Sequence, residues 1–397
     1  MKMKKTLSVL LAGAMLAGVL AGCGNGNSND GSADNSGESN AAGTAFKIGG
    51  TGPLTGPDAI YGNAVKNGAT IAVEEINALG GMQFELSIQD DEGDPEKANN
   101  CYNTLKDWGM QLSLVATTSK PGEAISVNHN DDRIFGLTPS ASSVAVTEGK
   151  DNVYQMCFID PDQGVKAADY IAANNLGKNI AIIYKNDDVY STGIYEKFIS
   201  EAVTKGLNVV STGTFTTASQ TDFNVQLNEA KTAGADLLFL PIYYQPASLI
   251  LAQAKAMGFE TKFIGVDGMD GILTLKNFDT TLAEGLMLLT PFNPSSEDER
   301  TQSFVQKYQE QFGDTPNQFA ADAYDCVYAY YQALTAANAT PDMSAEELCG
   351  LMIEQFSTMS FEGLTTGGAA ATWDASTGRV SKVPSGVVIK DGIYVGM

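Results

Sequence analysis

The sequence has 397 residues, of which 43% are apolar and 18% are charged, and its formal net charge is −23. A chain of this length and apolar content can bury a large core, and the length suggests two domains. The acidic balance argues against nucleic acid as a partner, because binding a phosphate backbone depends on clustered Lys and Arg.

The N-terminus has the pattern of a secretion signal. Lysines near the start precede an apolar run from Leu7 to Leu20, which is short for a bilayer span, and Leu20-Ala21-Gly22-Cys23 closes it. This resembles a bacterial lipoprotein signal. The resemblance implies that residues 1–22 are removed and that Cys23 is lipidated outside the cytoplasmic membrane, at the cell surface or in the periplasm. The alternative is an ordinary secretion signal with a chance cysteine.

Residues 23–45 would then be the lipidated cysteine and a disordered tether, because Gly, Asn, Ser and Asp dominate this stretch. From Phe46 onward, short apolar segments alternate with helix-length ones, which favours an α/β fold with parallel sheets. The predicted strands are 46–49, 84–88, 112–116, 134–137, 155–158, 179–184, 208–213, 236–240, 262–265 and 286–290, with short strands in 369–373 and 385–395. Ser296-x-x-Glu299 and Ser344-x-x-Glu347 read as capping boxes of late helices.

An internal correspondence indicates two similar lobes. The strand 112–116 is followed by Pro121, a helix and the strand ending at Leu137. The strand 237–240 is followed in the same way by Pro246, the helix 248–257 and the strand 262–265. Two doubly wound lobes would place their binding edges on either side of one cleft.

Two hydroxyl-rich turns, Ala116-Thr117-Thr118-Ser119 and Thr138-Pro139-Ser140-Ala141-Ser142, follow neighbouring predicted strands. The carboxyl edge of a parallel sheet is where open α/β folds bind ligands. Uncharged donors at a helix start suit a carboxylate, and Asp267 at the end of a strand in the second half could pair with an ammonium group. The alternative is that these residues are ordinary helix caps and turn residues.

Catalytic patterns are missing from the sequence. The single histidine, His129, lies among polar residues and is expected at the surface, and it has no second histidine for a triad or an HExxH site. The turn after Gly50 lacks the third glycine of a dinucleotide fingerprint, and Pro53 removes a backbone donor. We therefore expect no enzyme, no cofactor and no metal site. We also expect four free thiols, at Cys101, Cys157, Cys326 and Cys349.

Several short motifs occur in the order found in the Leu/Ile/Val-binding proteins of ABC importers. They are Tyr61-Gly62, Asp94-Pro95, Leu137-Thr138-Pro139-Ser140-Ala141-Ser142, Asp160-Pro161-Asp162-Gln163-Gly164 and Lys262-Phe263-Ile264-Gly265-Val266-Asp267-Gly268. The chain resembles this family from about Phe46 to its end. The resemblance implies the type I periplasmic-binding fold, with two Rossmann-like doubly wound lobes joined by three hinge crossings. Lobe 1 would be 46–159 plus 291–380, and lobe 2 would be 160–290 plus 381–397.

The same resemblance implies which residues bind the ligand. Ser119, Ser140 and Ser142 would hold its carboxylate, while Asp267 and Tyr243 would contact its ammonium side. The full set of expected ligand-binding residues is Tyr61, Thr118, Ser119, Ser140, Ala141, Ser142, Asp160, Tyr190, Tyr243, Asp267 and Phe319. Two positions depart from the family pattern: Asp267 is often Glu there, and Thr118 replaces a cysteine that some members carry.

The sequence thus predicts a monomeric, lipid-anchored substrate-binding subunit of an ABC importer, with a permease as partner. Its expected ligand is an amino acid, aliphatic or branched-chain. The alternatives are another small ligand, such as an aromatic acid or a small amide, and a sensory ligand-binding protein.

Overall fold

The computed structural model describes residues 44–397, which belong to one compact unit. The predicted signal segment, Cys23 and nearly all of the predicted tether lie outside the described residues. In the described part of the chain, no helix combines the length and the apolar character that a membrane crossing requires.

The first sheet has five parallel strands in the order β2-β1-β3-β4-β5. They are β1 (Phe46–Gly52), β2 (Phe84–Asp90), β3 (Leu112–Ala116), β4 (Phe135–Thr138) and β5 (Val153–Gln155). Strand β3 is buried along its whole length. Helices cover both faces of the sheet, as a parallel sheet requires.

The second sheet has seven strands in the order β15-β14-β10-β9-β8-β6-β7. They are β6 (Asn179–Lys185), β7 (Asn208–Phe215), β8 (Leu237–Leu240), β9 (Lys262–Gly265), β10 (Met287–Thr290), β14 (Ser385–Lys390) and β15 (Ile393–Gly396). Strands β6 to β10 are parallel, whereas β14 and β15 are added antiparallel at one edge.

Ten α-helices connect and cover the sheets in the described residues. They are α1 (Ala59–Ala78), α2 (Pro95–Trp108), α3 (Ser119–Asp132), α4 (Asp160–Ala173), α5 (Val189–Lys205), α6 (Asn224–Thr232), α7 (Tyr244–Ala256), α8 (Glu299–Phe312), α9 (Gln318–Ala337) and α10 (Ala345–Phe356). Helix α1 packs closely against α9, and Gly68 allows this approach because a Cβ there would meet the Ala320 carbonyl oxygen at 1.9 Å.

The chain passes between the two sheets three times. It leaves β5 for α4, leaves β10 for α8, and leaves a small antiparallel sheet for β14. The small sheet consists of β11 (Ser360–Phe361), β12 (Ala371–Asp374) and β13 (Arg379–Val380). It is fixed to the first sheet, since the Trp373 indole nitrogen donates to the Gln155 carbonyl at 2.9 Å.

Local signals in the sequence explain several helix starts. Asp94 caps α2 by accepting from the Glu96 and Lys97 amides at 2.9 and 3.0 Å, with Pro95 in the first position. The Ser344 to Glu347 capping box at α10 is confirmed. The predicted box at Ser296 is wrong, because Asp298 caps α8 by accepting from the Thr301 amide at 2.9 Å.

Two other sequence expectations can be compared with the fold. The correspondence between the halves is confirmed: α3 and α7 each carry proline, Pro121 and Pro246, as their third residue. The surface position expected for His129 is wrong, because its side chain is fully buried. Among the described cysteines, Cys101, Cys157, Cys326 and Cys349 are free thiols.

Candidate functional site

The two hydroxyl-rich turns lie side by side at the carboxyl edge of the first sheet. The Ser119 hydroxyl at the start of α3 accepts from the Ser142 and Ser143 amides, both at 3.1 Å. One side chain therefore fixes the two turns to each other. No described residue accepts the Ser119 hydroxyl proton, so this proton can be donated into the cleft.

The hydroxyls of the other two serines, Ser140 and Ser142, have acceptors within the protein. The Ser140 hydroxyl donates to the Thr117 carbonyl at 2.6 Å, and the Ser142 hydroxyl donates to Asp160 Oδ1 at 2.7 Å. The Ser140 proton is thus engaged within the first sheet's binding edge, and the Ser142 proton is engaged by the first residue of α4. To donate to a ligand carboxylate, each would first have to leave its present acceptor.

Asp160 and Ala141 lie behind these serines rather than in the cavity wall. Ala141 is fully buried, and its amide donates to Thr138 Oγ1 at 3.0 Å. Asp160 is 2% exposed, and burial raises the pKa of its carboxyl well above the ordinary value, with the Ser142 hydroxyl opposing the rise. Asp160 can therefore act on a ligand through Ser142 and not by direct contact in this arrangement.

The second lobe presents Asp267 directly after β9. The Tyr190 hydroxyl donates to Asp267 Oδ1 at 2.6 Å and accepts from the Gly268 amide at 2.9 Å. The Asp267 amide donates to Gln163 Oε1 at 3.1 Å. Burial raises the pKa of the Asp267 carboxyl to about 7, although the hydrogen bond from Tyr190 opposes the rise. Its charge therefore changes close to neutral pH.

Aromatic rings join the two sides. The Tyr61 hydroxyl, at the start of α1, donates to the Gly268 carbonyl at 2.5 Å and accepts from the Tyr244 amide at 3.2 Å. The Tyr61 ring lies 4.4 Å from the Phe319 ring and 5.3 Å from the Tyr243 ring, measured between centroids. Tyr61 thus links the binding edge of the first sheet directly to that of the second.

These groups surround one small cavity of about 10 Å³ between the sheets. It is lined by Tyr61, Thr117, Thr118, Ser119, Ser140, Ser142, Tyr190, Tyr243, Asp267, Gly268 and Phe319. Nine of the eleven residues expected from the sequence are in this wall, and the two outside it are Ala141 and Asp160. Thr117 and Gly268 are additional, and each is the sequence neighbour of an expected residue.

Ser119 and Asp267 face this cavity from opposite sheets. A hydroxyl donor at a helix start suits a carboxylate, and a carboxylate on the other side suits an ammonium group. No described group of three or more His, Cys, Asp or Glu side chains could hold a metal ion. Ser119 and Asp267 thus offer a hydroxyl donor on one side of the cavity and a carboxylate on the other.

Two doubly wound sheets face one cleft, and the chain passes between them three times. This is the architecture of a two-lobed ligand-binding protein. Residues 45–383 match the family model described as periplasmic binding protein, and the chain belongs to this family. Its fold is the type I periplasmic-binding fold, as the sequence motifs implied. The resemblance to Leu/Ile/Val-binding proteins is confirmed.

One relative is the leucine-, isoleucine-, valine-, threonine- and alanine-binding protein of Pseudomonas aeruginosa, 28% identical over 320 residues, which are 77% of this chain and 83% of the relative. A solved branched-chain amino acid transporter substrate-binding protein from Streptococcus pneumoniae, in complex with isoleucine, is 25% identical with a TM-score of 0.79. That match covers 88% of this chain and 97% of the other.

A solute-binding protein of an ABC transporter from R. palustris, in complex with benzoate, has the same fold with a TM-score of 0.78. It is 18% identical, and the match covers 89% of this chain and 95% of the other. The relatives are substrate-binding proteins of transporters rather than enzymes, and the family is extracytoplasmic in bacteria.

Proposed function

We propose that this chain is the substrate-binding subunit of an ABC importer and captures an amino acid in the cleft between its sheets. Leucine, isoleucine and valine are the first ligands to test, because relatives are named for binding them. The observation that carries the proposal is the placement of Ser119 and Asp267 on opposite walls of one cavity. The two lobes, 46–159 plus 291–380 and 160–290 plus 381–397, would close on the ligand, and a permease would recognise the closed form.

An aromatic acid is the second candidate, since a protein of the same fold binds benzoate. Asp267 argues against it, because a buried carboxylate facing an anionic ligand without an ammonium group would be left uncompensated. A calorimetric panel of leucine, isoleucine, valine, benzoate and a small amide distinguishes the candidates. Binding of benzoate without binding of any amino acid would overturn the amino-acid proposal.

Ser119→Ala and Asp267→Asn test the proposed contacts. A hydrogen bond to a charged group contributes about 1.5–3 kcal/mol, so each variant should weaken amino-acid binding by about tenfold to a hundredfold. Ser200→Ala and Asp107→Asn are matched controls, because both residues are exposed on helices away from the cleft. Unchanged affinity in both site variants would mean that these residues do not hold the ligand.

We also propose that the protein is a monomer attached to the membrane through lipid on Cys23. The support for the lipid attachment is the signal pattern that ends at this cysteine. Cys23→Ser should abolish incorporation of labelled palmitate and release the protein from the membrane fraction. A Cys23→Ser protein that stays membrane-bound and labelled would contradict the anchor.

A further inference from the structure

An outer chamber of about 260 Å³ adjoins the inner cavity. The two share Thr118 and Tyr243 as wall residues, so they are neighbouring spaces. The chamber is bounded by the loops after β1 and β2 on one side and the loops after β6 and β8 on the other. It therefore lies between the two sheets, where the side chain of a ligand held at Ser119 and Asp267 can extend.

The chamber has an excess of carboxylates. Its charged wall residues are Asp58, Glu92, Asp94, Asp187 and Asp188 against Lys120 and Lys185. Four of the five carboxylates already have a partner within the protein.

Glu92 forms an ion pair with Lys97 at 2.7 Å, Asp94 caps α2, and Asp187 accepts from the Thr217 amide at 2.9 Å. Asp188 caps α5 through one long hydrogen bond, whereas the Asp58 carboxylate has no hydrogen-bond partner among the described residues.

Asp58 directly precedes α1 but makes no cap hydrogen bond, and no described residue donates to its carboxylate. Asp188 accepts only from the Ser191 amide, at 3.3 Å. Burial raises the pKa of Asp58 to about 6 and raises the pKa of Asp188, with Lys185 opposing both shifts. Lys185 forms no ion pair with any described carboxylate, so neither the Asp58 nor the Asp188 carboxylate has a hydrogen-bonded cation.

Thr118, on the wall shared by the two spaces, carries a second and independent signal. Its side chain is 7% exposed, and its hydroxyl oxygen has no hydrogen-bond partner in the described structure. A buried polar atom without a partner is costly, and ligand-binding sites are one place where it is found. Tyr243 lines the same two spaces, and an aromatic ring can attract a cation. Both features suit a polar, positively charged group.

We propose that the outer chamber is a subsite for a positively charged side-chain end, so that the protein binds a basic amino acid in addition to aliphatic ones. The inference rests on the proposed amino-acid function and specifies the ligand's side chain, which that function does not define. An organic cation fits better than a metal ion, because no described acidic side chains group closely enough to hold a metal. A lysine side chain, a compact charge on a flexible four-carbon stem, has the required chemistry.

The test compares L-lysine with L-norleucine, which has the same carbon stem without the terminal ammonium, by calorimetry on the purified chain. L-leucine serves as the aliphatic reference. We expect lysine to bind about tenfold more tightly than norleucine, which is the effect of one charge-assisted contact. The comparison uses the unaltered protein, so it does not depend on the folding of a variant.

Asp58→Asn and Asp188→Asn then test the residues. Asn still serves as a helix cap, so Asp188→Asn should keep the start of α5 intact. Each variant should weaken lysine binding by about tenfold and leave norleucine binding within about twofold, since only lysine uses the charge. Asp107→Asn is the control and should change neither affinity.

The outcomes separate the two proposals. If leucine or norleucine binds and lysine binds no more tightly than norleucine, the charged subsite is wrong while the amino-acid function stands. If lysine is preferred but both chamber variants leave this preference unchanged, the assignment to this chamber is overturned. If no amino acid binds, the proposed function itself fails.

Discussion

At the scale of single residues, the protonation of Asp267 links the site to pH. Its carboxyl is 4% exposed and accepts from Tyr190, while the nearby Asp322 carboxylate adds to the rise in its pKa. With a pKa of about 7, the carboxyl is half protonated in neutral solution. A ligand ammonium group pairs with the ionised form and not with the neutral acid.

We therefore predict that amino-acid affinity falls with acidification. Below the raised pKa, binding must first remove a proton, so affinity should drop by about tenfold per pH unit from about pH 7 towards pH 5. Calorimetry at several pH values measures this slope. Asp267→Asn supplies the control, because its weaker binding should lose most of the pH dependence. An unaltered protein whose affinity is constant between pH 5 and 8 would contradict this role for Asp267.

His129 shows the limit of reading burial from neighbouring residues. The polar residues beside it, Asn128 and Asn130, suggest a surface helix, but its ring bonds both to its own helix and to strand β3. His129 Nδ1 donates to the Ile125 carbonyl at 2.8 Å, so the neutral ring accepts at Nε2 from the Ser113 hydroxyl at 2.7 Å. Burial lowers the pKa of His129 to about 4. The deciding partner, Ser113, is on another element, and no local pattern points to it.

At the scale of elements, strand β3 is irregular just before the binding turn. Val115 has a φ of 52°, which is strained for a β-branched residue, and the pairing of β3 with β1 shifts register at this point. The Ser113 hydroxyl holds the distortion by accepting from the Val115 amide at 2.9 Å while it donates to His129. This bulge sets the direction of the chain into Thr117, Thr118 and Ser119.

Ser113→Ala should therefore destabilise the protein. It leaves the buried Val115 amide and His129 Nε2 without a partner, and each such loss costs about 1–3 kcal/mol. Urea denaturation measures the free energy of unfolding. Ser126→Ala is the matched control, because Ser126 is equally buried but bonds only to the Glu123 carbonyl within its own helix. Equal losses in the two variants would refute the role of Ser113.

The sequence predicts the elements well where a local signal is complete. Strands 112–116 and 262–265 coincide with β3 and β9, because short apolar runs there are bounded by turn residues. The rule that ligands bind at the carboxyl edge brings Ser119 and Asp267 to one cavity. It does not reveal that the Ser140 and Ser142 hydroxyls already have acceptors, since those acceptors depend on how the turns pack.

At the scale of the whole molecule, the third passage between the sheets is fixed by a buried ion pair. Lys382 Nζ lies 2.5 Å from Asp322 Oδ1, and the two side chains are only 2% and 3% exposed. Lys382 also donates to Thr365 Oγ1 at 2.6 Å. Burial raises the pKa of Asp322 to about 6, with Lys382 opposing the rise. The segment that enters β14 is thus tied to α9, which belongs to the side of the first sheet.

Breaking the Lys382–Asp322 pair should lower the free energy of unfolding by far more than the intact pair contributes to it. Lys382→Met leaves the buried Asp322 carboxylate without a partner, and such a loss typically costs about 3–5 kcal/mol. The double variant Lys382→Met with Asp322→Leu should recover most of the stability, because no charge remains to be compensated. Denaturation of both variants gives the coupling between the two positions.

Lys205→Met is the comparison, because Lys205 pairs with Asp169 at the surface, where the two side chains are 37% and 39% exposed. Solvent screens that pair, so its loss should have a much smaller effect. If Lys382→Met destabilises no more than Lys205→Met, the buried pair does not anchor the passage. If the double variant is no more stable than Lys382→Met, the cost does not come from the uncompensated carboxylate.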